Sequence, residues 1–413
     1  VSLPNVSVDI RPDSSFVVGG TGVLGTTPLG SGFLLGPALA AMVSLGPTVT
    51  DVAIRRGRTR VTESFDTGSA SVRLIDTTGR FNPDNTSSDL YPYVLPLRQF
   101  RISAIVNGIS VQLFNGFTTR YTYDYDPGVN ATYVTIEAED AFRVLSLADI
   151  TTVTGAVTGE QTGTRIDRIL TDLGVPNSIT NISTGVSPCD ADPDVTRSGL
   201  EAIQQVENTE LGAFYINAEG VHTFKSRHEI QQLAAGVSVT PLVFNETSGL
   251  DYIAVRIGLD DQQVYNSVTI TGEAITEQSV ADTTSSDEYF LRSLVRSDLL
   301  ITTDAEALNQ ANLLLSSRKN PTLTIDSIAI KPLALSDSDA YSVVSTDLLN
   351  PITITKSYLG SSLTRTLTVQ GIEHSINAGD WTMGIALAEP IGGDALVLDS
   401  TNQGLLDTDL VSY

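Results

Sequence analysis

At 413 residues and 43.9 kDa, the chain is long enough for roughly two to four compact units. A single cysteine, Cys189, excludes an internal disulfide framework. Against 48 Asp and Glu stand only 24 Lys and Arg, and the net charge of -24 repels a phosphate backbone or an anionic membrane, which argues against specific nucleic-acid binding and membrane contact.

In chain order, the first predicted element is a Gly/Pro-rich arm, residues 1–47, which is uncharged from Ser14 onward, the charge-free run reaching Thr50. Its apolar side chains Phe33, Leu34, Leu35, Leu39, Met42 and Val43 are candidates for a protein interface, because leaving such a run in water is unfavourable. Gly30, Gly32, Gly36, Pro37 and Gly46 interrupt it too often for a membrane-spanning helix. Residues 48–150 alternate with period two and predict a β-barrel-like unit, including a strand Val61–Phe65, a turn Asp66–Gly68 and a strand Ser69–Ile75. An α+β unit follows over 151–250. Ile166, Ile169, Leu170 and Leu173 share a helix face closed by Gly174 and Pro176, and Ser198 with Glu201 forms a capping box ahead of Leu200, Ile203 and Val206. Gly212 then leads into a hairpin with its turn at Glu219-Gly220. Residues 251–390 predict a second β-barrel-like unit with strands at Val264–Ile270, Leu363–Val369 and Trp381–Leu387, and one helix near 303–318 capped by Thr303 and Glu306. The apolar phase slips at Gly371, the mark of a bulge. Residues 391–413 read as an acidic tail with scattered Leu.

Chemistry-bearing patterns are sparse. Phe65-Asp66-Thr67-Gly68-Ser69 matches the turn that carries an aspartic-protease carboxylate, but that reaction shares one proton between two such carboxylates and the chain has no second copy. Asp190, Asp192, Asp194 and Glu201 have calcium-loop spacing, yet Val195 occupies the position of the obligatory glycine and Arg197 falls inside the loop. Acids around Cys189 suppress a thiolate. Of three histidines, His222 is expected on the polar face of a hairpin, and His374, alternating with Ile372 and Ile376, in the core with a hydrogen-bond partner. No catalytic residue, metal ligand or cofactor site is predicted. The run Tyr121, Tyr123 and Tyr125 is the one stretch that suits sugar stacking, which leaves a β-sandwich adhesin or carbohydrate-binding protein as the alternative.

The order of motifs resembles a known family. Arg55 and Gly57, then Phe65, Gly68 and Leu74, then Gly79-Arg80-Phe81, Pro83 and Asn85, then Pro92-Tyr93, with Gly371 and Trp381 far downstream, are similar to the minor tail or tail-hub proteins of long-tailed bacteriophages, above all those infecting actinobacteria. The resemblance implies a mainly β fold with two barrel-like domains flanking a small helix-hairpin domain. It also implies a homo-oligomeric ring, a trimer, at the virion tail tip. Its partners would be distal tail or tail-tube proteins, the tape measure protein and receptor-binding or fibre proteins. The role is structural rather than enzymatic. With no basic stretch ahead of an apolar one at Val1, folding is expected in a reducing cytoplasm, that of the bacterial host.

Overall fold

The computed structural model describes residues 6–11 and 42–391, except 59, 60, 62, 127, 129, 130, 248, 260, 262, 359 and 360. Phe33, Leu34, Leu35 and Leu39 of the arm therefore lie outside the described residues, as does the tail after Ile391. Met42 and Val43 lie within them; Val43 pairs with Ile10 and packs on a core.

Period-two alternation builds one large sheet. Strand β1 is Val6–Ile10. In β2, Val49–Gly57, Val52 and Ile54 turn inward while Asp51, Ala53 and Arg55 face out. β3, Asp66–Asp76, buries Ala70, Val72 and Leu74 in the same way. β4 (Gln99–Val106), β5 (Ile109–Asp126) and β6 (Ala131–Glu139) complete the N-terminal half.

Helices interrupt the strands in the middle of the chain. Helix α1, Thr162–Asp172, buries Ile166, Ile169 and Leu170, and Gly174 beyond its end has φ +75°. At the start of α2, Gly199–Glu210, the expected capping box is present: the Glu201 amide donates to Ser198 Oγ at 3.2 Å and the Ser198 amide to the Glu201 carboxylate at 2.8 Å. The hairpin follows as β7 (Ala213–Ile216) and β8 (His222–Lys225).

The C-terminal half contains β9 (Ala254–Gly258), β10 (Ser267–Gly272), β11 (Gln278–Ala281), β12 (Ser293–Leu299), helix α3 (Asp304–Arg318), β13 (Thr324–Ile330), β14 (Pro351–Tyr358), β15 (Ser361–Asn377) and β16 (Asp380–Ala388). The large sheet has 13 strands, and its main path runs β9-β13-β16-β15-β2-β3-β6-β5-β4-β1. The two β-rich ends of the chain thus share one sheet, because β15 pairs antiparallel with β2 from Gly371 against Gly57 to Asn377 against Asp51. This mainly β architecture with an α+β part between its halves agrees with the fold class read from the sequence.

Three details depart from that reading. Among the described residues of 61–65, none lies in a strand. β3 already begins at Asp66, and Phe65 leaves the alternation because its ring packs under the Arg58 guanidinium (4.3 Å) and against Tyr215 (5.4 Å). The strand expected at Val264–Ile270 starts at Ser267 and joins a separate three-stranded sheet, β11-β10-β12. There Val268 and Ile270 bury against Ala307, Ala311 and Leu314 of α3, so the helix takes the place of the large sheet as their cover. Finally, the α3 cap is half of the expected box. Thr303 accepts from the Glu306 amide at 3.3 Å, but the Glu306 carboxylate turns instead to Arg227 (3.1 Å) and Gln310 (3.0 Å).

Candidate functional site

The seam where β2 meets β15 combines a close backbone approach with a bulge. Gly57 ends β2 with φ +107°, and a Cβ there would lie 2.2 Å from the Gln370 carbonyl oxygen and 2.5 Å from the Gly371 Cα. Only glycine fits this approach. Opposite it lies the predicted bulge: Val369 pairs with Leu387 and Gly371 with Ala386, so Gln370 is the extra residue. The freed Gln370 side chain is used twice, accepting from Arg58 Nε at 2.8 Å and donating to Thr368 Oγ1 at 2.8 Å. The Arg58 amide also donates to the Gln370 carbonyl at 2.8 Å.

Buried charge lines both sides of this seam. Arg56 reaches Asp347 at 2.8 Å, and Asp140 accepts from the amides of Gly68 (2.7 Å) and Phe142 (3.0 Å). Glu207 of α2 accepts from the Phe214 amide at 3.0 Å. Burial pushes both the Asp140 and the Glu207 carboxyls up to about 7, more than their amide donors pull them down. His374 is in the core as expected, accepting from Trp381 Nε1 at 3.2 Å, and burial lowers it to about 3 with the Arg56 charge adding to the effect. His222 corrects the sequence reading. Instead of facing solvent it is fully buried, with Nδ1 3.2 Å from the Ile179 carbonyl and its value lowered to about 4 by that burial. The parallel strand Thr180–Ile182 pairs with β8, setting Thr180 opposite His222 and closing the edge the hairpin alone would have left open.

The outer face of the seam is small and polar. A shallow trough of about 570 Å³ is floored by Ala53, Ser69, Ser71 and Ser375, with Arg55 and Glu373 paired across the strands at 3.5 Å. Both ends of that pair are exposed, so it contributes little to stability.

The other motif residues fall into two groups. Leu74 and Phe81 are core side chains, as is Trp381, and Gly68 is the buried third residue of β3. Gly79, Arg80, Pro83 and Asn85 form the loop after β3. Gly79 has φ +71°, the Asn85 side chain donates to its carbonyl at 2.9 Å, Arg80 pairs with Asp89 at 2.7 Å and Pro83 is exposed. Asp76, which precedes Gly79-Arg80-Phe81 in the motif but is given no role of its own by the sequence, organises this loop by accepting from the amides of Thr78, Arg80 and Phe81 at 2.9–3.0 Å. Burial opposes its charge, yet those donors outweigh the burial and hold the carboxyl below its usual value. The Asp-x-x-Gly-Arg-Phe spacing was the available signal. Pro92 follows a cis peptide bond, and Tyr93 is exposed beside it.

Most of the remaining candidates are engaged inside the fold. Arg197 pairs with Asp192 at 2.6 Å, and Glu201 is spent on its cap. Among the described residues no group of three or more His, Cys, Asp or Glu side chains is placed to hold a metal. Cys189 is buried, which pushes its thiol up to about 12. Asp66 sits exposed at the first position of β3. Tyr121 and Tyr123 pack on a core, and Tyr123 donates to the Phe81 carbonyl at 2.9 Å, leaving Tyr125 the exposed ring of the three. No helix of the described residues is long and apolar enough to cross a membrane.

The raised Glu207 value has a measurable consequence. A carboxyl that binds its proton more tightly folded than unfolded contributes stability that is present below about pH 4.5 and is lost as the pH rises through about 7. Glu207→Gln does not titrate, so its stability should gain on that of the wild type by roughly 3 kcal/mol between pH 4.5 and pH 8. Urea unfolding at both pH values checks this, and a difference that stays constant with pH would show that folding does not raise the Glu207 pKa.

Comparison with known proteins identifies the fold. The chain is similar to the 43 kDa tail protein of prophage MuSo2 from Shewanella oneidensis, with a TM-score of 0.55 and 12% identity over 93% of this chain and 98% of that one. It is similar to the tail protein from Neisseria meningitidis MC58, with a TM-score of 0.56 and 10% identity over 94% of this chain and 98% of that one. A lidless PdpA–VgrG complex gives a TM-score of 0.50 and 9% identity over 93% of this chain and 64% of that one. No protein-family model matches the chain, and no curated protein matches its sequence. The fold, with its shared sheet and central α+β part, is one found in phage tail proteins.

Proposed function

We propose that this chain is a structural subunit of the tail hub, a ring at the tip of a long phage tail of the actinobacteriophage type its motif order resembles. The ring joins the tail tube to host-recognition proteins and forms part of the DNA exit path. The observation that carries this reading is the β2–β15 seam. One sheet shared by the two ends of the chain makes a stiff wall, its inner face packed on the core and its outer face polar and open to contact. The proposed units are 48–150, 151–250 and 251–390, with barrel-like parts making the subunit contacts. Distal tail or tube proteins, the tape measure protein and receptor-binding or fibre proteins are the expected neighbours. The role is mechanical, without catalysis. Two of the three tyrosines that favoured a sugar-binding alternative are spent on packing.

The test is the mass of the purified chain in solution by light scattering. A trimer, at three times the 43.9 kDa of one chain, is expected at micromolar concentration. A monomer at every concentration and salt strength would overturn the ring.

A further inference from the structure

Every second residue from Tyr91 to Leu97, ahead of β4, is a large apolar side chain left at the surface. Tyr91, Tyr93, Leu95 and Leu97 are each 42 to 46% exposed, while Leu90 and Val94 turn inward and anchor the segment. Thr118 of β5, fully buried, fixes it in place. Its hydroxyl donates to the Leu95 carbonyl at 3.2 Å and accepts from the Arg98 amide at 3.1 Å, and its carbonyl accepts from the Leu97 amide at 2.6 Å. A stripe held this way loses little conformational freedom when something binds it, and tyrosine is a residue that interfaces favour. Arg98 closes the stripe, and its Nε is buried with no hydrogen-bond partner among the described residues.

The small sheet carries a second apolar surface, just ahead of β12. Phe290 is 83% exposed and Leu291 70%. Asn266, fully buried, holds this surface as Thr118 holds the other: its Nδ2 donates to the Phe290 carbonyl at 2.8 Å and its Oδ1 accepts from the Arg292 amide at 2.8 Å. Phe290 keeps a φ of +63°, which a bulky residue adopts only under restraint. Two exposed acids, Asp287 and Glu288, precede it, and neither is paired with a cation among the described residues.

Phe290 is too exposed for the two surfaces to meet within one chain. Like against like would set Asp287 and Glu288 against their own copies. The acid-flanked surface of one copy against the stripe that ends in Arg98 on another is complementary in both charge and apolar character. A contact between two different patches repeats head to tail, and closes into a ring when the rotation permits.

We propose that Phe290 and Leu291 of one copy dock on the Tyr91–Leu97 stripe of a second copy, with Arg98 of the stripe meeting Asp287 and Glu288. The contact rests on the ring reading, for which it supplies the subunit joint. Light scattering on the full-length variants Phe290→Asp and Tyr93→Asp tests it. Each should be a monomer at concentrations where the wild type is a trimer, with an unchanged circular dichroism spectrum because both side chains are exposed. Mixed in equal amounts, the two should form a dimer of twice the 43.9 kDa and nothing larger, since each keeps the surface the other lacks. Leu291→Asp mixed with Leu95→Asp should do the same. Variants that all keep the wild-type mass would overturn the contact and leave the ring standing. Loss of assembly in one variant of a pair and not in the other would overturn it too, as would mixtures of both pairs that stay monomeric. A monomeric wild type would remove the ring and the joint together.

Discussion

Gly57→Ala should be among the costliest single changes in the chain, lowering stability by about 3 to 5 kcal/mol. The native φ of +107° is one that a Cβ disfavours strongly, a strain of about 1 to 3 kcal/mol. The added methyl would also meet the Gln370 carbonyl oxygen at 2.2 Å, a backbone atom that no rotamer change can remove, and overpacking of that kind costs about 1 to 3 kcal/mol more. Relief requires β15 to move away from β2, and the first bond to break is the Arg58 amide to the Gln370 carbonyl. Gly79→Ala is the control. Its φ is also positive, at +71°, but the nearest atom to its Cβ would be 3.5 Å away, so the cost should be near 1 kcal/mol. Calorimetry on both variants should show a several-fold difference in the loss, and equal losses would mean that the seam tolerates separation.

Glu160→Ala should cost about 3 to 5 kcal/mol for an electrostatic reason. Glu160 pairs with Arg165, which is fully buried, and with Arg168 at 2.8 Å. Arg165 also donates to the Asp190 carbonyl at 2.8 Å. Without its carboxylate the buried guanidinium keeps its charge and loses its counterion, the situation that makes breaking a buried pair far more damaging than replacing it whole. Adding Arg165→Met to Glu160→Ala should therefore restore about half of the lost stability despite removing a further side chain. If the double variant is as unstable as the sum of both single changes, the guanidinium's bonds to carbonyl oxygens, rather than its charge, dominate the site.

What could be read in the sequence was whatever depends on near neighbours. The Ser198–Glu201 box, the phase slip at Gly371 and the inward side of His374 are set by residues a few positions apart, and each is found where the pattern put it. What escaped depends on distant parts of the chain. His222 is buried because a strand some 40 residues earlier covers it, and period-two alternation in its own hairpin carries no trace of that cover. Phe65 leaves its strand for a cation, Arg58, that the local pattern treats as a solvated charge. Glu306 abandons its cap for Arg227, from a different helix. The buried pair Glu160–Arg165 was invisible for the same reason, since charge in a sequence says nothing about depth.

The pairing of Gly57 with Gly371 also governs how the molecule is made. About 300 residues separate the two partners, so the ribosome, adding roughly 5 to 20 residues per second, completes β15 some 15 to 60 s after β2 has emerged. Through that interval β2 presents an unpaired row of amides and carbonyls, the surface most prone to mispairing with another nascent chain. The seam can close only on a chain that has been translated through β15. A prematurely ended product would keep the open edge of β2, so closure of the sheet acts as a check that translation has passed β15.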